Sequence, residues 1–201
     1  MNNAHVWINA GYELFAREGL EGLPVERMAR ILGLNKSGYY HYFGNLDTFL
    51  ESLLRYHAVA VDSLASEISG IKQFDPEFIH TLLYHKRTVM AHLQLARNRH
   101  HPLLKACYTK TTRVIDQAVA PTWTKFIGTP DNPQCALKYF DMVRDVLFSR
   151  LQLETFNFEF IQGIVYEAKE IMESVTLNPN FSSHREEVVT NTLSRLITER
   201  I

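Results

Sequence analysis

The chain has 201 residues, 46% of them hydrophobic and 21% charged, with a formal net charge of −1 and a pI near 6.8. That length supports one or two domains with a sizeable core, and the composition is that of an ordinary globular protein. No apolar run approaches the roughly 20 residues needed to cross a bilayer, no basic segment and apolar stretch mark a secretory leader in "MNNAHVWINAGYELF", and the near-neutral balance means that any basic surface must be local.

Helical periodicity dominates from the start. Trp7, Gly11, Leu14 and Phe15 recur on one face with Ile8 beside them, which predicts an amphipathic first helix stopped near Gly19. Pro24 suits the first turn of a second helix, where its missing N–H loses nothing; Val25, Met28, Ala29 and Leu32 face inward, and Gly33 ends it. "LNKS" then offers Asn35 or Ser37 as cap for a short helix holding Tyr39, Tyr40, His41, Tyr42 and Phe43 in a row. After Gly44, Asn45 is placed to cap a long helix with the stripe Phe49, Leu50, Leu53, Leu54, His57, Val61, Leu64 and Ile68.

Beyond residue 74, Asp75 and Pro76 read as a cap and first helical position. "RTVMAHLQLARNR" and "PLLKACYTKTTRVIDQAV" follow, with Pro121 expected to bend or restart the second of them. Further helices are expected over about 134–152 and 157–175, and a tail helix over "HREEVVTNTLSRLITER". The sum is an all-α chain of about nine or ten helices with no internal repeat.

The first 54 residues resemble the N-terminal domain of the tetracycline-repressor-type (TetR family) bacterial regulators. Ile8, Ala10, Leu14, Phe15 and Gly19 match the first helix and its stop; Ala29, Gly33, Leu34 and Lys36 match the second helix and turn; Tyr40, Phe43, Asn45 and Leu50 match the third helix and fourth-helix start. The resemblance implies a three-helix helix-turn-helix DNA-binding domain over 1–47. A long fourth helix joins it to a helical effector-binding and dimerisation domain over 48–201. It places Lys36, Ser37, Gly38, Tyr40, His41 and Tyr42 on the DNA-facing side of the third helix, with Tyr39 and Phe43 in the core. In such a motif the second helix enters the major groove while its predecessor crosses the backbone.

Three positions depart from the family pattern. Leu46 stands where a phosphate-contacting lysine is usual, Pro24 replaces a capping Ser or Thr, and Glu26 occupies a position that some relatives make basic. Residues 1–60 hold five bases (Arg17, Arg27, Arg30, Lys36, Arg55) against six acids (Glu13, Glu18, Glu21, Glu26, Asp47, Glu51). Fewer phosphate contacts and a shallow salt dependence are therefore expected.

In the remaining three quarters the resemblance rests on helix number and rhythm. It implies a cavity for a small, largely apolar effector, with Met90, Leu93, Tyr108, Trp123, Phe126, Phe140, Val143, Arg144 and Phe148 as candidate lining. Arg144 and Asp145 sit on an otherwise apolar helix, placed to satisfy each other or a polar effector group. The helices over about 134–152 and 157–175 fall where the family forms a four-helix bundle between two copies. Phe160, Ile164, Ala168 and Ile171 make a stripe there, and Gly163 would admit a partner helix.

No catalytic constellation is present, so an enzyme is not expected. His80, His85, His92, His100 and His101 lack metal-ligand spacing, as do Cys107 and Cys135, so neither metal nor cofactor is expected. The expected function is a cytoplasmic, homodimeric transcriptional repressor that binds a palindromic operator in double-stranded DNA and is released by a small-molecule effector. The other reading is a helical small-molecule-binding protein on the same scaffold with weak or lost DNA binding.

Overall fold

The computed structural model describes residues 4–129 and 132–176. Among these residues nine α-helices form and no strand does: α1 Ala4–Glu18, α2 Val25–Leu32, α3 Lys36–Phe43, α4 Leu46–Gly70, α5 Ile79–Tyr84, α6 Lys86–Arg97, α7 Pro102–Phe126, α8 Pro133–Arg150 and α9 Phe158–Thr176. The expected tail helix, with its "NPNF" lead-in, lies outside the described residues.

The N-terminal unit follows local chemistry closely. In α1, Trp7, Gly11, Leu14 and Phe15 are buried as the periodicity required, and Ile8 is half-buried against the core. Gly11 allows α1 to lie directly on α4, because a Cβ there would sit 2.4 Å from the Phe49 ring. In α2, Met28 and Ala29 are buried while Val25 and Leu32 are half-buried. Pro24 stands one position earlier than expected, at the cap, where its carbonyl accepts from the amides of Arg27 (3.0 Å) and Met28 (3.2 Å). Gly33 adopts φ 63°, a left-handed conformation that costs a Cβ-bearing residue energy. The side-chain oxygens of Asn35 and Asn45 accept from Ser37 N (3.0 Å) and Thr48 N (2.9 Å), capping α3 and α4.

α4 runs unbroken for 25 residues, with its whole predicted stripe buried. It packs chiefly on α7, while α1 packs on α6, so both long-range pairings tie the first unit to the rest. Arg87 of α6 fastens that joint. It donates to Asn9 Oδ1 (3.0 Å) and the Tyr56 hydroxyl (2.8 Å), and its guanidinium lies 5.2 Å from the Tyr12 ring centroid.

Asp75 has the extended backbone of a cap (φ −108°, ψ 128°), and the helical turn that Pro76 enters runs without a break into α5 at Ile79. The Asp75 carboxylate accepts from the Tyr166 hydroxyl (2.8 Å) and Gln162 Nε2 (3.2 Å), which fixes α9 against the turn at 74–78. The expected restart at Pro121 needs correction, because α7 continues through it to Phe126. The residue is exposed, so water can serve the Gln117 carbonyl that it leaves without a helical donor.

Candidate functional site

Two regions concentrate chemistry: the outer face of α3 and a cavity in the helical body. On α3 the row of aromatics divides by helical angle. Tyr39 and Phe43 turn inward, one helical turn apart, and their rings meet Phe49 of α4 at centroid distances of 5.2 and 4.9 Å. Burial pushes the Tyr39 hydroxyl up to about 12. Lys36, Ser37, Tyr40, His41 and Tyr42 are exposed, and Gly38 is half-buried beside Trp7. A surface groove of about 420 Å³ runs past Trp7, Leu34, Asn35, Ser37, Gly38, His41 and Tyr42. Ile31, Leu34, Tyr40, Tyr42 and Leu46 are all exposed, giving this face a strong apolar and aromatic content.

Its charges are largely engaged with one another. Lys36 Nζ donates to Glu26 Oε1 at 3.0 Å, and Arg27 makes a two-pronged contact with Glu18. The Lys36 ammonium in turn holds the Glu26 carboxyl below the usual carboxylate range. Leu46 opens α4 half-exposed and without charge. Pro24 offers no side-chain cap.

The cavity, of about 60 Å³, lies among α4, α5, α6, α7, α8, α9 and the turn at 74–78. Of the nine expected lining residues, Trp123, Phe140, Val143, Arg144 and Phe148 border it. The other four stand elsewhere. Met90 and Leu93 are buried away from its wall, Phe126 stacks behind Trp123 and Phe74, and Tyr108 stacks on His92 at 4.9 Å. Phe74, Phe78, Leu82, Val89 and His92 line it and were not expected. The local signal for the first two was "FDPEF", whose phenylalanines stand on either side of the Asp75–Pro76 helix start.

Arg144 pairs with Asp116 of α7 and Asp141 one turn back, not with Asp145. Adjacent residues on a helix do not face each other, whereas i and i+3 do. The guanidinium borders both the cavity and a polar surface groove that holds Asp116 and Asp141. Its Nε is buried without a hydrogen-bond partner.

His92 connects this wall to α1. The Tyr12 hydroxyl lies 2.8 Å from Nδ1 of His57, His57 Nε2 lies 3.4 Å from Nδ1 of His92, and His92 Nε2 lies 3.1 Å from Thr112 Oγ1. With Nε2–H tautomers on both rings each group donates once, and the chain runs in one direction through the core. Burial keeps both rings neutral: the His57 pKa falls to about 4, and that of His92 falls well below its ordinary value.

On the outer side of α8 and α9 a groove of about 280 Å³ is lined by Tyr139, Met142, Val146, Ile164, Ala168 and Ile171, among others. Met142 is 64% and Ile171 51% exposed. Of the stripe expected between two copies, Ile164 and Ala168 are already buried within the chain and Phe160 half-buried, because α9 packs on α5 and α8. Gly163 is exposed with open space beside it.

No family model matches the sequence, and no curated protein matches it significantly. Solved structures do. A protein from Rhodococcus sp. described as a TetR-family transcriptional regulator aligns over 85% of this chain and 98% of its own, at 18% identity and a TM-score of 0.56. A protein from Aquifex aeolicus VF5 described as a transcriptional regulator of the TerR/AcrR family aligns over 86% and 99%, at 13% identity and a TM-score of 0.58. The chain therefore has the all-α fold of these regulators, as its first 54 residues led one to expect.

Proposed function

We propose that this chain is a TetR-type transcriptional regulator. Residues 1–47 read DNA, and residues 48–201 bind an effector and a second copy of the chain. The observation that carries this reading is the division of α3. Tyr39 and Phe43 anchor it, while Lys36, Ser37, Tyr40, His41 and Tyr42 stand outward behind a three-residue turn at 33–35. Lys36 and the hydroxyls of Ser37 and Tyr40 supply donors for phosphates, and Lys36, Ser37, His41 and Tyr42 supply groups for base edges. Half-exposed Gly38 lets the backbone approach the duplex.

Two reading heads require two copies. The exposed Met142, Val146 and Ile171 on α8 and α9 are the surface that a second copy would cover. The effector would occupy the body cavity. At about 60 Å³ the cavity is smaller than the roughly 150 Å³ that accommodates benzene, so ligand binding must displace its walls, and Leu64 of the long lever α4 is one of them. The effector then favours a spacing of the heads that no longer fits both half-sites, which makes the protein a cytoplasmic repressor.

The test is selection of duplex DNA at low salt, with anisotropy titration of the selected site at several salt concentrations. The expected result is a palindromic site whose affinity falls as salt rises. Lys36→Ala and Tyr40→Ala should each weaken binding about tenfold, within the range of one specific contact, while leaving the helical content unchanged. Undiminished affinity in both variants would remove α3 as the reading helix. The Lys36–Glu26 pair and uncharged Leu46 favour a second reading, a ligand-binding scaffold that has lost DNA. Thermal stabilisation by an apolar ligand but not by any selected DNA would establish it.

A further inference from the structure

The groove beside α3 holds a hydrogen-bond donor that α3 itself does not supply. Trp7 of α1 is 1% exposed, and it is one of the residues that line this groove. Its Nε1 stands at the groove edge: it is the atom that a Cβ on Gly38 would meet, at 3.9 Å, and Gly38 lines the same groove. The indole N–H has no hydrogen-bond partner among the described residues. Nor is it sealed from water, unlike the unpartnered hydroxyl of Tyr39, whose ring it meets edge-on at 5.5 Å. The other tryptophan, Trp123, gives its N–H to the Ala136 carbonyl (2.9 Å) inside the body.

Ser37, Gly38, His41 and Tyr42 share the groove with Trp7, so a duplex seated on α3 closes over the indole edge and strips its water. A donor buried without an acceptor is costly, so the duplex must bring one. Two features select the phosphodiester. No carboxylate lines the groove, so nothing in its wall repels an anion. Trp7 is also recessed on α1, behind the helix that would enter the major groove. Base edges lie on the floor of that groove, whereas phosphates run along its rim, within reach of a recessed side chain.

We propose that Trp7 is a DNA-binding residue: its indole N–H donates to a phosphate oxygen of the duplex through the gap that Gly38 leaves by having no side chain. This rests on the reading of α3 as the DNA-binding helix and adds to it a contact from α1.

Trp7→Phe keeps a ring in the core and removes the N–H. By anisotropy titration, affinity should fall about tenfold, the scale of a hydrogen bond to a charged acceptor, on the selected duplex and on a scrambled one alike. The slope of affinity against salt should not change, because a neutral donor releases no counterion, whereas Lys36→Ala should lower it by about one. If Trp7→Phe folds poorly, the wild-type protein still answers by NMR. On addition of the duplex the Trp7 indole N–H resonance should move and its exchange with water should slow, while that of Trp123 stays. A loss confined to the selected sequence would place Trp7 on a base edge, and undiminished affinity or an unmoved Trp7 resonance would make it a core ring alone. Either result overturns the proposal and leaves α3 as the reading helix. If the wild type bound no duplex at all, the DNA reading itself would fail and take this proposal with it.

Discussion

In the head, the ion pairs Arg27–Glu18 and Lys36–Glu26 lie between side chains that are 34 to 67% exposed. In the body, Arg144 is 10% exposed and is held by Asp116 at 20%. Water and salt screen the first kind of pair, which therefore contributes little to folding and exchanges its partner readily. The second kind is expensive to break, because removal of one member strands the other away from water. The head pairs are therefore labile, whereas the Arg144–Asp116 pair holds α8 against α7.

The deepest cut at this contrast is Phe49→Ala, which removes the α4 ring under Gly11, Tyr39 and Phe43 and should cost about 3 to 5 kcal/mol. The chain's two tryptophans report the two regions separately, Trp7 in the head and Trp123 in the body. With each isolated by changing the other to Phe, urea unfolding should show the Trp7 transition moved to lower denaturant by more than the Trp123 transition. Equal shifts would mean that α4 and the Arg87 joint merge head and body into one cooperative unit.

Acid should act next most strongly, and on the buried histidines before the surface pairs. His57 has a folded pKa of about 4 against an ordinary 6.5, so the unfolded chain binds the proton first as pH falls. The stability from a neutral His57 is present above about 6.5 and is lost as pH drops to about 4, by up to about 3 kcal/mol. The groups facing it are Tyr12, which burial keeps protonated, and His92, which shifts in the same direction. Urea midpoints of the wild type and His57→Gln across that window should give a shallower slope for the variant. Identical slopes would assign the acid sensitivity elsewhere.

The smallest expected effect is Glu26→Gln, which frees Lys36 and removes one negative charge from the face of α2 and α3. DNA affinity should rise about threefold with no change in the thermal midpoint. Unchanged affinity would place Lys36 away from the phosphates.

The head was far more legible in the sequence than the body. The Asn35 and Asn45 caps, the left-handed Gly33 and the division of Tyr39 and Phe43 from Tyr40, His41 and Tyr42 are all decided within four residues along the chain. The cavity wall is assembled from seven separate stretches, and its polar members find partners far away in sequence: Arg144 with Asp116, His92 with His57. Asp141, one turn before Arg144, was available from helical spacing alone. Met90 and Leu93 illustrate the reverse limit, since an apolar side chain on a middle helix carries no mark that tells cavity wall from solid core.

The void in the body also makes volume a thermodynamic variable for this chain. Unfolding lets water fill such a space, so the system shrinks and hydrostatic pressure favours the unfolded state, by volume changes on the order of tens of mL/mol. The groove beside α3 is open to solvent and has no comparable empty volume to surrender. Compression therefore weakens the body before the head, the reverse of the order expected for Phe49→Ala, and an occupant of the void makes the whole chain harder to crush.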